Sequence, residues 1–355
     1  MQLSVHAKWY IALVALVVIL AGLFLFRMGA SAESTTPPVS STQPIHINWL
    51  IAHQPTSVFD TAEKVLASEL SKDSDGRITV TILNPADVGY TGNGDVPPAE
   101  VHQLLDSGKI QLATVPAADL AGDDPQMLAF TLPFLFPNYP AAQTIMNGPV
   151  GATMLSQFSQ TTDATALAFT FSGGFLIIPT TDKQIKTAAD LKGLKIGTSQ
   201  GPVEDATLTA LGATPVDISI DQLQSALQSG QVDGIVTTYT RMMEWYSPNV
   251  HYIYEDNAGL FLTALLASNT FYDSLSDSDK AALMQAAHDA AQAEQADSIA
   301  LAGTNRATLE SEGVIITAPS TATLKEEQSL TQSVYSQFSS VFDSDFVSTI
   351  KNAEQ

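Results

Sequence analysis

Gly197-Thr198-Ser199-Gln200-Gly201 has the spacing G-x-S-x-G and sits between a strand-like and a helix-like segment. Hydrolases use that setting to expose a serine nucleophile on a sharp turn, with an acid and a histidine later in the chain. Asp233 and His251 follow in that order, so serine hydrolysis is one reading. Against it, three fixed positions in a five-residue window recur easily in a chain rich in glycine and serine. The six histidines, His6, His46, His53, His102, His251 and His288, make no H-E-x-x-H or other spaced metal set. Segment 90–95, YTGNGD, lacks the Asp/Asn ladder and closing Glu of a calcium loop and reads as a glycine turn at the rim of a cleft. No phosphate loop or dinucleotide fingerprint occurs, so no cofactor and no metal is expected.

The elements that would hold these residues alternate. Strand patterns at 46–52, 76–83 and 110–115 are separated by helical patterns at 57–70 and 99–107. Segment 139–157 reads as one helix, and 165–179 as a strand that crosses Gly173-Gly174. From 194 the order is strand, helix, strand, helix, strand, ending at 237. Such alternation implies an α/β protein built on parallel sheets. Ser276 is placed to cap a helix with Asp277 and Asp279 in its first turn, and 279–309 contains one glycine and no proline. A helix of roughly 30 residues spans about 45 Å, more than one domain of this size, and reads as a strut shared by two.

With 355 residues, 45% of them hydrophobic, the chain can bury two sizeable cores. The net charge of −22 excludes a nucleic-acid partner, which needs a basic footprint. There is no cysteine, which rules out disulfides, thiolate metal sites and a cysteine nucleophile. At the N-terminus an apolar run, 11–26, follows Lys8, Trp9 and Tyr10, and Ala30-Ser31-Ala32 supplies a small-x-small cleavage pattern. Residues 1–32 are therefore a signal peptide or a retained membrane anchor formed by 9–26. The Ser/Thr/Pro-rich stretch 33–45 reads as a linker. Either way the remainder is expected in the periplasm or otherwise outside the cytoplasmic membrane.

Several stretches together resemble the DctP-type substrate-binding proteins of tripartite ATP-independent periplasmic (TRAP) transporters. They are SDGRITVTILNPADVG, LLDSGKIQLATV, FTLPFLFPNYPAAQTIMNGPVG, TAADLKGLKIGT, LGATPVDISIDQLQSALQSGQVDG and SNTFYDSLSDSDKAALMQAA. The resemblance runs from about residue 46 to the C-terminus. It implies a two-domain periplasmic-binding-protein-like (Venus-flytrap) fold with crossover strands and a long helix bracing both domains. The lobes expected are 46–174 plus 263–302, and 175–262 plus 303–355. A small solute would be clasped between them and delivered to the TRAP integral membrane subunits, with no covalent chemistry. An orphan binding protein presenting its solute to a membrane sensor is the alternative.

In that resemblance, two arginines that orient a substrate carboxylate correspond here to Gly197 and Ile177, and a polar residue, commonly Asn, to Thr237. Beyond the linker the arginines are Arg77, Arg241 and Arg306, none at a matched place. Burying a carboxylate without its guanidinium costs on the order of 3–5 kcal/mol, or about two to three decades of affinity. The expected guest is therefore a neutral polar or partly apolar solute rather than a simple carboxylate, unless Arg241, a lysine or a bridging metal reaches in. Candidate ligand-binding residues are His53 and Gln54 after the first strand, Phe175 and Ile177 at the crossover, and Gly197 and Ser199 at a strand end. Thr237 and Tyr239 after the Asp233-Gly234 turn and Asn257 before the return crossing complete the set, and Trp245 and Tyr246 could stack on a ring.

Overall fold

The computed structural model describes residues 43–353 except 55, 93, 200 and 343. The expected signal or anchor and most of the linker lie outside the described residues. Among the described residues no helix is long and apolar enough to cross a membrane.

Two sheets organise the chain. The first contains β1 (Ile45–Ile51), β2 (Ile78–Leu83), β3 (Leu112–Pro116), β4 (Ala164–Phe175) and β10 (Leu260–Ser268), in the order β2-β1-β3-β10-β4. Every residue of β3 and β10 is buried, which is why both read as near-continuous apolar runs rather than alternating ones. The second sheet contains β5 (Ile178–Thr180), β6 (Lys195–Thr198), β7 (Thr214–Asp217), β8 (Gly234–Ile235), β9 (Tyr252–Tyr254) and β11 (Ile315–Thr317). Its order is β11-β9-β5-β8-β6-β7. β1 pairs parallel with β2 and β3, and β6 with β7 and β8. The sheets are nevertheless mixed rather than wholly parallel. The chain passes from the first sheet to the second at β4–β5, back at β9–β10, and to the second again between β10 and β11; the first two passages pair antiparallel with each other.

The first passage depends on an unusual backbone. Ser172, Gly173 and Gly174 take φ values of 41°, 107° and 88°, a left-handed run that only glycine adopts without cost. A Cβ on Gly174 would also meet the Tyr139 hydroxyl at 2.2 Å. The long helix holds this run in place. It extends over Asp277–Ser311, 35 residues, about 52 Å, and starts at Ser276, whose side chain accepts from Asp279 N. Leu283, Ala286, Ala287 and Ala290 pack in the core of the first sheet, and Ala302 and Leu309 in that of the second. Between those contacts Glu294 accepts from Phe171 N and Ser172 N, both at 2.7 Å. Ser298 Oγ accepts from Gly173 N at 2.9 Å, and Gln295 Nε2 donates to Phe169 O at 3.0 Å. All three side chains are fully buried.

Segment 139–157 forms two helices, Tyr139–Met146 and Pro149–Thr161, rather than one. Pro149 cannot donate into a preceding turn, and Gly148 caps the second helix. The C-terminal helices Gln332–Gln337 and Ser344–Ala353 return to the first sheet's side, where Val334, Phe338, Phe342 and Ile350 enter its core.

Replacing Glu294 by Ala strands the Phe171 and Ser172 amides in a dry interior. It is expected to cost about 3 kcal/mol, with Glu294→Gln costing less. Equilibrium urea unfolding measures this; a change within about 0.5 kcal/mol, the surface range, contradicts the role assigned to Glu294.

Candidate functional site

The carboxyl ends of β1 and β3 and the segment after β8 converge on one place, where open α/β sheets put their ligands. From β1 come His53 and Gln54. From the loop before the helix Pro98–Asp106 comes Asp95, held beside β1 because Val96 N donates to Ala52 O at 2.7 Å. Asp119 lies in the 3-10 turn Ala117–Gly122 that follows β3. From the second sheet come Tyr239–Arg241, capped by Thr238, and the turn of π-helix Met242–Tyr246 that continues it. Such π turns interrupt a helix at a cost and frequently mark functional sites.

Arg241 is the centre of this convergence. Its Nη2 donates to both carboxylate oxygens of Asp95 at 2.9 Å, and its Nε donates to Gln54 O at 2.7 Å. Asp95 also accepts from Gln54 N at 3.1 Å. The guanidinium stands 4.8 Å from the ring centre of Phe261 and 5.8 Å from that of Trp245. It is almost fully buried, and desolvation strengthens both the ion pair and the ring contacts. Two further contacts join the same two faces: Ser57 Oγ donates to Glu244 at 3.1 Å and Tyr90 OH to Asp221 at 3.4 Å.

Beside the pair is a hollow of about 180 Å³ lined by Gln54, Ile220, Asp221, Gln224, Trp245 and Tyr246. Its walls offer amides, a carboxylate, a phenol and an indole face. The Tyr246 hydroxyl is buried and has no hydrogen-bond partner, and burial pushes its pKa up to about 12. Thr237 Oγ1 and Thr240 Oγ1, on the same segment, are likewise buried without partners. Buried hydroxyls are normally satisfied, and of these three only Tyr246 lines the hollow.

Burial also sets the protonation of the neighbours. His53 is fully buried between Phe59 and Phe261, with Ser172 Oγ 3.2 Å from Nδ1. Desolvation, offset in part by Asp95 and aided by Arg241, lowers its pKa to about 4, leaving a neutral ring. Asp119 is pushed up to about 7 by burial and then by Asp95, against the pull of Arg241.

The other expected ligand residues fall in separate places. Phe175, Tyr239 and Asn257 line a second hollow of about 190 Å³ against the long helix, with the Glu255–Arg306 ion pair. There Tyr239 OH donates to Glu255 at 2.6 Å. Ile177 and Thr237 form an isolated antiparallel bridge between the two sheet segments. Gly197 lies inside the second core, where a Cβ would meet Leu223 Cδ2 at 2.9 Å and Ile235 Cγ2 at 3.2 Å. Ser199 follows the end of β6 and donates its backbone N–H to Glu204 at 3.2 Å. Asp233 accepts from Lys195 N at the other end of β6, and His251 Nδ1 contacts Thr181 O at 2.7 Å. Ser199, Asp233 and His251 thus do not assemble as a triad. Among the described residues no group of three or more His, Asp or Glu side chains could hold a metal ion.

Asp95, Asp119, Asp221 and Gln224 were not singled out by sequence reasoning. Asp95 ends the YTGNGD turn already placed at the rim of a cleft, and Asp119 follows a strand end, so position carried a usable signal for both. Asp221 and Gln224 stand on the exposed face of an amphipathic helix and look like solvated surface.

Buried acids give a pH signature. Asp256 is pushed up to about 7 by burial and by Glu327, and Glu294 to about 7 by burial. These two acids and Asp119 bind protons more tightly folded than unfolded, so stability is expected to fall as pH rises from about 4 to about 7. His53, with its lowered pKa, acts oppositely between about 4 and 6.5. The melting temperature is therefore expected to be higher at pH 5 than at pH 8, with a shallower slope in Asp256→Asn. A profile that rises through this window contradicts the assignment.

The comparisons agree with this architecture. The family model described as DctP, bacterial extracellular solute-binding protein, family 7, matches residues 51–340. A solute-binding protein of Chromohalobacter salexigens is 23% identical over 256 residues, 70% of this chain and 71% of that protein. One from Verminephrobacter eiseniae is 27% identical over 168 residues, which span only 47% of this chain and 48% of that protein. Among solved structures, a TRAP periplasmic solute-binding protein from Ochrobactrum anthropi, with its C-terminus bound in the ligand-binding pocket, superposes with a TM-score of 0.79. It has 22% identity and is matched over 88% of this chain and 95% of its own. The sugar acid-binding protein of Advenella mimigardefordensis in complex with galactonate gives a TM-score of 0.77 at 23% identity, over 88% and 98% of the two chains. The fold is the two-domain Venus-flytrap type of these proteins, and the chain belongs to the bacterial extracellular solute-binding protein family 7.

Proposed function

We propose that the protein is the extracytoplasmic solute-binding component of a TRAP-type transporter, capturing a small solute between its lobes and delivering it unaltered to the membrane subunits. Residues 46–174 with 263–302 form one lobe and 175–262 with 303–355 the other, apart from the C-terminal helices that reach back to the first. The strand passages β4–β5 and β9–β10 act as the hinge. The guest sits in the hollow between Gln54 and the wall formed by Asp221, Gln224, Trp245 and Tyr246.

The observation that carries the choice of guest is the state of Arg241. The one arginine in the cleft already shares both oxygens of Asp95, and no arginine can occupy position 197 while Leu223 and Ile235 fill the space beside it. A free anion would meet Asp221 and Glu244 without a compensating guanidinium. A net-neutral solute bearing hydroxyls fits better: it satisfies the Tyr246 phenol and meets the Gln54 side chain while a ring or chain lies on Trp245, whose carbonyl already accepts from Gln224 Nε2. At about 180 Å³ the hollow is smaller than the roughly 300–1,000 Å³ of drug-sized sites, which favours a compact guest.

Titration calorimetry with matched pairs, neutral sugars and polyols against their acids, tests this. Binding is expected for a neutral member and not for its acid. Trp245→Ala is expected to weaken that binding by about 2 kcal/mol or more, a loss of around thirty-fold. Tighter binding of the acids than of their neutral partners, with Trp245→Ala silent, contradicts the proposal.

A further inference from the structure

Asp95 occupies the position relative to Arg241 that a bound carboxylate would take. Its two oxygens lie at equal distances, 2.9 Å, from one guanidinium nitrogen, and the carboxylate is further fixed by Gln54 N at 3.1 Å. The guanidinium is in turn positioned by Gln54 O and by the faces of Phe261 and Trp245. Every element of a carboxylate-recognition site is thus built around Arg241: a buried cation, aromatic walls and a fixed orientation. The seat is filled from within the chain. Asp95 belongs to a loop pressed against the opposite wall, since a Cβ on Gly94 would meet Asp221 Oδ1 at 2.1 Å and Ile220 Cγ2 at 2.2 Å. Closure of the cleft therefore carries the carboxylate onto the arginine.

We infer that Asp95 is a specificity-determining residue, an internal carboxylate that fills the anion seat of Arg241 and so excludes carboxylate solutes from the cleft. This rests on the cleft assigned above as the solute site, but it concerns Asp95 and Arg241 rather than the natural guest. Removing the Asp95 side chain leaves a cationic seat of the size of the group removed. Acetate has the chemistry of that side chain and would refill it. Asp119 interacts with both Asp95 and Arg241 and would compete for the vacated cation, so the variants are best made with Asp119→Asn as well.

The experiment measures melting temperature and calorimetric binding for wild type, Asp95→Ala, Asp95→Ala with Asp119→Asn, and the same double variant with Arg241→Gln. Acetate and succinate are titrated at constant ionic strength, with chloride as the control. Acetate is expected to raise the melting temperature of the Asp95 variants in a saturable way, and to bind at least about ten-fold more tightly than to wild type. Chloride is expected to do neither, and Arg241→Gln to abolish the gain. If Asp95→Ala proves too unstable to purify, Asp95→Asn in the Asp119→Asn background keeps the volume and removes the charge. It is then expected to gain succinate affinity while wild type does not. Folded variants that gain no carboxylate affinity overturn the inference, as does a wild type that binds acetate equally well. A wild type that binds no neutral solute while the acetate gain is present counts against the proposed guest and leaves the role of Asp95 standing.

Discussion

The grip of the long helix on the end of β4 is the interaction on which the rest depends. Three buried side chains within about one helical turn, Glu294, Gln295 and Ser298, bond the backbone of 169–173 where it turns left-handed. Backbone amides in that conformation cannot join the β4–β10 ladder, and unsatisfied in a dry core they would each be costly. Glu294 answers two of them with one carboxylate. The arrangement gives the chain a fixed point from which it leaves the first sheet, so that the second sheet faces the carboxyl ends of β1 and β3.

That fixed point determines what meets across the cleft. Thr238 and Thr240 pack against Gly173, where a Cβ would approach Thr238 Oγ1 at 2.7 Å. The segment carrying Arg241 is therefore registered on the crossing itself. From there the π turn sets Trp245 and Tyr246 opposite Gln54. In the proposed cycle, separating the walls that carry Asp95 and Arg241 breaks their ion pair, the Arg241–Gln54 hydrogen bond and the two peripheral contacts at Ser57–Glu244 and Tyr90–Asp221. A solute stabilises the closed form by its differential contacts with it, and the Tyr246 hydroxyl, which lines the hollow, is a group left for such a contact.

Much of the fold was legible in the sequence because it rests on periodic burial. The runs of β1, β3 and the Lys195–Thr198 strand, and the uninterrupted Ser276-capped helix, announced their type and extent. The mixed sheets were not legible, since strand direction across a passage between sheets is a tertiary property that no local pattern encodes. Gly148-Pro149 carried a break that the apolar spacing on either side obscured. For the site, the resemblance implied that Gly197 stands where an arginine is usual, but not that Leu223 and Ile235 fill the space beside it. The place of His53 and Gln54 beside Arg241 was foreshadowed by their position after a strand end. Arg241 was named only as an arginine outside the matched positions that could reach in, because its contacts depend on Asp95, 146 residues away in the chain. Long-range ion pairs leave no spacing in a sequence.

Native mass spectrometry of the protein purified from the periplasm of a host supplied with its natural solutes addresses the central claim most directly. A single small non-covalent adduct, net-neutral and recovered with unchanged mass on denaturation, is the expected result. Recovery of a carboxylic acid held in the cleft, or of a chemically converted product, would contradict it.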